Sequence, residues 1–309
     1  MEFMSFEICG GAADRERKMT GTLYLCATPI GNLQDMTPRV VETLKMVDLI
    51  AAEDTRNSVK ILNYFDIHTP MTSYHEYNKV EKAQQLVGLL LEGKQVALIT
   101  DAGTPAISDP GEVLVKMCHE SHVPVTSLPG ACACITALTL SGLSARRFCF
   151  EGFLPAEKKT RRLVLEELRR ESRTMILYEA PHHLVGTLEE LENCLGDRKI
   201  TLCRELTKKF ETILPTTLSQ ARERYKTEEP RGEYVLVLEG KSFQEQRREE
   251  IASWEEMTIE EHMAHYEDRG MDRKTAMKQV ARDRGVGKRD IYAYLNRETE
   301  REESGGQLL

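Results

Sequence analysis

Apolar residues fall in short runs that alternate with stretches of helical period. Residues 23–27, 49–52 and 96–99 are almost wholly apolar, and 123–127 is a weaker version of the same pattern. Runs of this length predict strands buried on both faces of a parallel sheet. Between them, residues 39–46, 58–65, 79–91 and 113–120 carry apolar side chains three and four apart, which predicts helices packed on that sheet. The strands end in polar, turn-forming loops: Thr28-Pro29-Ile30-Gly31-Asn32, Glu53-Asp54-Thr55-Arg56 and Asp101-Ala102-Gly103-Thr104-Pro105. In a parallel sheet such loops share one edge, so Asn32, Asp54, Arg56 and Asp101 line one rim, where ligands settle in open α/β sheets. The last loop leads to Asp109, placed to cap the next helix, with Pro110 at its first position and Glu112 completing a capping box. A tight turn with no ligand satisfies the same spacing.

Past Gly142 the alternation is less regular. Strands are predicted over 148–150, 175–178, 200–203 and 234–238, with helices over 158–171, 182–194 and 218–225, which suits a second, mixed sheet. The small side chains of 131–140 let that predicted helix lie close to a cofactor or to another helix. After Gly240 come a charged stretch over 244–256 and helical segments over 258–266, 274–283 and 288–295, the last two joined by a glycine turn in the manner of a helix-turn-helix. The expected organisation is a disordered leader (1–20), an N-terminal α/β domain (21–129), a second α/β domain (130–241), a charged and helical region (242–298) and a disordered tail (299–309), with Met19 a possible alternative start.

Composition narrows the function classes. The net charge of −8 argues against indiscriminate coating of nucleic acid, yet between Arg269 and Arg289 eight basic residues face two acids, a +6 island. No run of residues suits a membrane span or a signal peptide, so the expected location is the cytoplasm. The eight cysteines include no Cys-x-x-Cys pair, which predicts free thiols and no metal. His119 and His122 lie one turn apart without a third ligand, as surface histidines do. No Gly-x-Gly-x-x-Gly, P-loop, Gly-x-Ser-x-Gly or His-Glu-x-x-His occurs, which removes the main support for dinucleotide, nucleotide-hydrolase, serine-hydrolase and zincin chemistry.

Several ordered motifs do form a recognisable set. They are Ala27-Thr28-Pro29-Ile30-Gly31-Asn32-Leu33, Ala52-Glu53-Asp54-Thr55-Arg56, Asp101 to Pro105 with Ser108-Asp109-Pro110-Gly111, Pro129-Gly130, Ser141-Gly142-Leu143, Gly152-Phe153-Leu154-Pro155, Tyr178-Glu179-Ala180-Pro181-His182 and Arg204-Glu205-Leu206-Thr207-Lys208. Through them the chain resembles the bacterial rRNA small subunit methyltransferase I family of the tetrapyrrole methylase-like superfamily, almost without interruption over 21–240 and more weakly to Leu295. The resemblance implies an α/β, two-domain tetrapyrrole methylase-like fold, the class III arrangement of S-adenosylmethionine-dependent methyltransferases, with a small helical C-terminal appendage. It implies a homodimer, S-adenosyl-L-methionine as cofactor, and 2′-O-methylation of a decoding-centre cytidine (cytidine 1402) in the 16S rRNA of the small ribosomal subunit. The chain departs from the family where His183 follows Pro181-His182 in place of the usual Arg, and where Ala131-Cys132 stands for Pro-Ser.

On that resemblance Pro29, Gly31, Asn32, Asp101, Ala102, Gly103, Pro105, Ser108, Pro129, Gly130, Ala131 and Tyr178 hold the cofactor. RNA is expected on Arg56 and Lys208 and, because a +6 island in an acidic chain is best explained by a polyanion partner, on Arg273, Lys274, Lys278, Lys288 and Arg289. The donor is already activated, so the protein must align the reacting atoms and accept one proton, for which Glu179 and Asp54 at strand ends are the candidates, although either could equally orient the ribose or the cofactor's amino group. A ribose acceptor agrees with a cleft that offers carboxylates and no cysteine placed to attack a pyrimidine carbon. A small-molecule tetrapyrrole methylase is one alternative, although its relatives usually begin with a Gly-x-Gly loop. A nucleic-acid-binding module with a ligand-sensing α/β part is the other.

Overall fold

The structure, a computed structural model, describes residues 20–305; the expected leader, apart from Thr20, and the last four residues lie outside that range. Two compact units divide the chain, one ending at Glu239 and the other beginning at Gly240. The first unit contains both predicted sheets.

The first sheet is parallel, in the order β3-β2-β4-β1-β5, built from β1 (Leu23–Cys26), β2 (Leu49–Ala52), β3 (Met71–Ser73), β4 (Val96–Ile99) and β5 (Val125–Leu128). Side chains alternate between its faces. Leu23, Leu25, Val96 and Leu98 pack into one cluster with helices α3 (Lys79–Leu91) and α4 (Glu112–Glu120). Cys26, Ala97 and Ile99 pack into the opposite cluster with α1 (Pro38–Met46) and α2 (Thr55–Tyr64). All four residues of β4 are buried, which explains the unbroken apolar run.

The second sheet has the order β6-β7-β10-β8-β9, from β6 (Phe148–Phe153), β7 (Thr174–Glu179), β8 (Lys199–Arg204), β9 (Thr212–Thr217) and β10 (Tyr234–Leu238). Only β6 and β7 pair in parallel. Helices α6 (Lys158–Arg170), α7 (Leu184–Leu195) and α8 (Leu218–Tyr225) cover one face, and α5 (Ala133–Leu140) covers the other through Cys134, Ala137 and Leu138 against Ile176, Cys203 and Val235.

Three sequence expectations change here. Asp109 does not cap α4: the helix begins at Glu112 after Gly111, with no side-chain cap, because Pro110 supplies no amide and Gly111 stands between. The small-residue helix begins at Ala133 and not at Ala131. Residues 299–305 continue helix α12 (Lys288–Gly305), where a tail was expected, since the Glu- and Arg-rich sequence favours helix.

The second unit is helical: α9 (Phe243–Glu256), α10 (Ile259–Glu267), α11 (Arg273–Asp283) and α12. Met263, Ala276, Met277, Val280, Ile291 and Leu295 form its core. Ser242 with Glu245 and Thr258 with Glu261 make capping boxes, and Asp272 caps α11. No helix among the described residues is long and apolar enough to cross a membrane.

Candidate active site

A cavity of about 440 Å³ opens where loops of the parallel sheet meet the mixed sheet. The β1 loop contributes Ile30, and the β4 loop contributes Ala102, Gly103, Thr104, Ile107, Ser108 and Asp109. Cys132 and Ala133 at the start of α5 form another wall. The mixed sheet supplies Phe153, Tyr178, Glu179, Glu205, Leu206, Lys208, Glu233 and Val235 among others.

Backbone geometry holds these loops in place. The β1 and β4 loops are tied by a bridge in which the Thr28 amide donates to the Gly103 carbonyl at 2.9 Å and the Gly103 amide to the Thr28 carbonyl at 3.0 Å. Gly103 has φ +85, which glycine adopts without the steric cost that a side chain brings. Ala106 (φ +66) and Ser108 (φ +70) share this left-handed conformation in the same loop, as do Glu205 (φ +52) and Thr207 (φ +64) in the loop after β8. Gly31 brings those regions together, since a Cβ at position 31 would stand 2.3 Å from Lys208 Cγ. The Thr104 hydroxyl donates to the Ala131 carbonyl at 3.0 Å and fixes the β4 loop to the entry of α5.

The candidate cofactor residues separate on this geometry. Ala102, Gly103, Ser108 and Tyr178 line the cavity, whereas Pro29, Gly31, Asn32, Asp101, Pro105, Pro129, Gly130 and Ala131 do not. Asn32 caps a short 3-10 turn over Leu33–Asp35, and the Asp101 carboxylate accepts from the Asn57 side chain at 3.0 Å. Gly130 lies against Ala27. The latter group shapes the walls and does not form them.

Neither candidate proton acceptor is free. Glu179 is buried, and its two oxygens accept from the Ala180 amide at 2.8 Å and the Thr187 hydroxyl at 2.5 Å, while Thr187 in turn accepts from Arg161. Asp54 caps α2 and takes the Arg56 guanidinium at 3.0 and 2.7 Å; that pairing holds its carboxyl down at about 2, and it lies off the cavity. Sequence reasoning passed over Asp109 by assigning it to a helix cap. Burial pushes the Asp109 carboxyl up to about 7, the charges of Glu53 and Asp101 add to the effect, and the Thr100 hydroxyl opposes it. Glu53 behind it is also raised, chiefly by burial. The signal available in the sequence was the Asp109-Pro110-Gly111 order, which leaves the acid outside the helix.

Three cations expected on RNA are paired, Arg273 only loosely, with Glu267 at 4.0 Å. Arg56 binds Asp54, and Lys208 Nζ lies 3.0 Å from Glu205 and 2.7 Å from Glu233 on the cavity wall. Burial opposes the Lys208 charge, but its bonds to Glu233 and Glu205 outweigh that and raise it. In the second unit Arg273, Lys274, Lys278, Lys288 and Arg289 are all exposed. One cation of the basic island is structural: Arg284 donates to His262 Nδ1 at 3.1 Å and to the Met257 carbonyl at 2.5 Å. The cavity also holds a thiol that sequence reasoning had excluded. Cys132 lines the wall, brought there because β5 ends just before α5, so absence of a cysteine no longer favours a ribose acceptor.

The fold has solved counterparts. Diphthine synthase superposes with a TM-score of 0.59 at 14% identity, covering 72% of this chain and 91% of that one. Cobalt precorrin-4 methyltransferase gives 0.53 at 16% identity over 71% and 94%. Residues 22–222 match the profile of the Tetrapyrrole (Corrin/Porphyrin) Methylases. Fold and cavity thus define a methyltransferase of this class that uses S-adenosyl-L-methionine. The chain is 47% identical to ribosomal RNA small subunit methyltransferase I of Halalkalibacterium halodurans over 92% of its own length and 98% of that protein. It is 52% identical to the Haemophilus influenzae protein of the same name over 72% and 80%. The chain belongs to the ribosomal RNA small subunit methyltransferase I family.

The cavity suits the cofactor. Its volume falls within the range of roughly 300–1,000 Å³ typical of small-molecule sites. Ile30, Ile107, Phe153 and Leu206 give apolar walls that suit a purine, and Asp109, Glu205 and Glu233 add acidic groups to the lining, the last two paired with Lys208.

Proposed function

We propose that this chain transfers a methyl group to the ribose 2′-oxygen of a decoding-centre cytidine, cytidine 1402, in the 16S rRNA of the small ribosomal subunit. The cofactor occupies the cavity, held by Ala102, Gly103, Ser108, Ala133 and Tyr178. Bound there, it supplies a methyl group on an already activated sulfonium. The protein must exclude water, align the acceptor and take up one proton. The relatives named for small-subunit rRNA support the substrate class.

The observation that carries the reading is Asp109, a carboxyl on the cavity wall whose proton affinity is raised toward neutrality. A base works best when its pKa lies near the working pH, and such a group contributes about 10² to 10⁴ in rate. Asp109 accepts the ribose proton, Glu53 and Asp101 keep its affinity for that proton high, and Glu179 braces the start of α7. Lys208, clamped between Glu205 and Glu233, fixes the opposite wall. The exposed cations Arg273, Lys274, Lys278, Lys288 and Arg289 hold rRNA phosphates, and the active species is a homodimer. A single nucleotide must be splayed out to enter a cavity of this kind, which favours a loop or junction over a regular duplex.

A small subunit carrying deoxycytidine at the target position keeps nearly all of its binding groups and lacks only the acceptor. It should compete with the natural subunit for the enzyme and remain unmethylated. Methyl transfer to that subunit would refute the ribose assignment, and sedimentation of the active enzyme as a monomer would refute the dimer.

A further inference from the structure

Cys132 and Cys134 form a close thiol pair at the edge of the cavity. Their sulfurs stand 3.4 Å apart; Cys132 is half-buried on the wall, and Cys134 is buried behind it. Cys132 immediately precedes α5, at its N-cap position. The hydrogen bond from the Cys134 thiol holds Cys132 below the ordinary thiol range, with burial opposing this and the Ile135 and Cys134 amides adding to it. Cys134 is pushed up by the same hydrogen bond and by burial. The pair thus consists of one half-buried, thiolate-prone sulfur on the cavity wall and one protonated partner within reach. The other described cysteines, among them Cys26, Cys118 and Cys203, are free thiols; these three are buried with raised proton affinities, Cys203 although it too borders the cavity.

We propose that Cys132 and Cys134 are a peroxide-sensitive modification site, and that the disulfide they form closes the cavity to its cofactor. The Cys132 thiolate attacks a peroxide oxygen: an S–O bond forms, the O–O bond breaks and hydroxide leaves. The Cys134 thiol then attacks the Cys132 sulfenic acid, so that an S–S bond forms, the S–O bond breaks and water departs with the Cys134 proton. The peroxide is reduced and the two thiols are oxidised. Bonding brings the sulfurs from 3.4 Å to about 2.05 Å. Ala133, the residue between them, lines the cavity, and the Cys134 amide donates to the Tyr178 hydroxyl at 3.2 Å on the same wall. Closing so small a ring therefore acts on the cavity wall itself. The effect on cofactor rests on the cavity being the cofactor site; disulfide formation does not.

The test treats the reduced, full-length protein with hydrogen peroxide, maps its peptides by mass spectrometry and titrates it calorimetrically with S-adenosylmethionine. The expected results are a loss of two hydrogens confined to the peptide holding Cys132 and Cys134, and cofactor affinity lowered by about tenfold or more, both reversed by dithiothreitol. Cys134→Ala should bind cofactor like the reduced wild type and, under peroxide, carry an irreversible sulfinic acid at Cys132 with no disulfide. Sulfinic acid at Cys132 in the wild type with Cys134 untouched would overturn the dithiol. A mapped disulfide with unchanged affinity would overturn its effect on the cavity. In that case, failure of excess cofactor to slow iodoacetamide labelling of Cys132 in the reduced protein would place the error in the cofactor site itself.

Discussion

Around the cavity, Ala106, Ser108, Glu205 and Thr207 hold left-handed backbone conformations although none is glycine. In residues 240–305 the left-handed positions are Gly270 and Gly285, at turns after helices, and three of the four helices there start on a side-chain cap. The charges differ in the same sense. Lys208 at the cavity is locked between two carboxylates, while Arg273, Lys274, Lys278, Lys288 and Arg289 stand exposed on α11 and α12, Arg273 alone of these within 4.0 Å of a carboxylate, that of Glu267. A left-handed non-glycine residue costs about 1–2 kcal/mol, so four in two facing loops are held by surrounding structure, as strained residues at functional sites are; Asp66 and His122 share the conformation off the cavity, at turns after α2 and α4. On the proposed function, the first unit carries the chemistry and the basic second unit holds a polyanion.

The largest expected effect falls on the first unit. Asp109→Asn should lower the single-turnover methylation rate by about 10² to 10⁴ while cofactor affinity, measured by calorimetry, stays near that of the wild type. The wild-type rate should rise with pH through about 7 as Asp109 loses its proton, and this limb should vanish in the variant. A variant retaining the limb would move the base elsewhere.

Replacing Arg273, Lys274, Lys278, Lys288 and Arg289 together by Gln should break the second unit alone. Binding to small subunits should weaken by roughly 10² to 10³ near 0.1 M salt, and the slope of log affinity against log salt should flatten by about 0.7 for each phosphate that is no longer neutralised. Cofactor affinity should not move. An unchanged salt slope would dissolve the division of labour.

Ala133→Phe adds a ring to the cavity wall and should weaken cofactor binding by about tenfold to a hundredfold with subunit binding preserved. The smallest effect belongs to Asp54. Its proton affinity is lowered by the Arg56 hydrogen bonds, so the stability it contributes is present above about pH 4 and lost as pH falls toward about 2. Asp54→Ala should therefore lower the melting temperature at pH 7 and leave it unchanged near pH 2, with the methylation rate intact. Loss of activity would restore Asp54 as a reacting group.

Where one physical signal dominated, the sequence located elements to the residue: the amphipathic period predicted 79–91, which is α3, and the apolar run at 234–238 is β10. Strand β9 escaped because Pro215 lies within it and its residues are half-buried or exposed; as an edge strand it tolerates the missing amide. Strand β3 escaped because its three residues carry no period. At the site, the loops were legible from their glycines and prolines, and Ala102, Gly103, Ser108, Tyr178 and Glu179 do meet at the cavity. What the sequence could not carry was partnership across the sheets. Glu179 is consumed by Thr187, Lys208 by Glu205 and Glu233, and Asp109 gains its proton affinity from burial beside Glu53, relations set by packing between segments distant in the chain.

The most direct measurement is nucleoside mass spectrometry of small-subunit rRNA after reaction of unmethylated subunits with the enzyme and labelled S-adenosylmethionine. The cavity chemistry described above predicts label in 2′-O-methylcytidine from a single site, absent with Asp109→Asn under the same conditions. Label recovered in a base-methylated cytidine, or undiminished by that substitution, would contradict it.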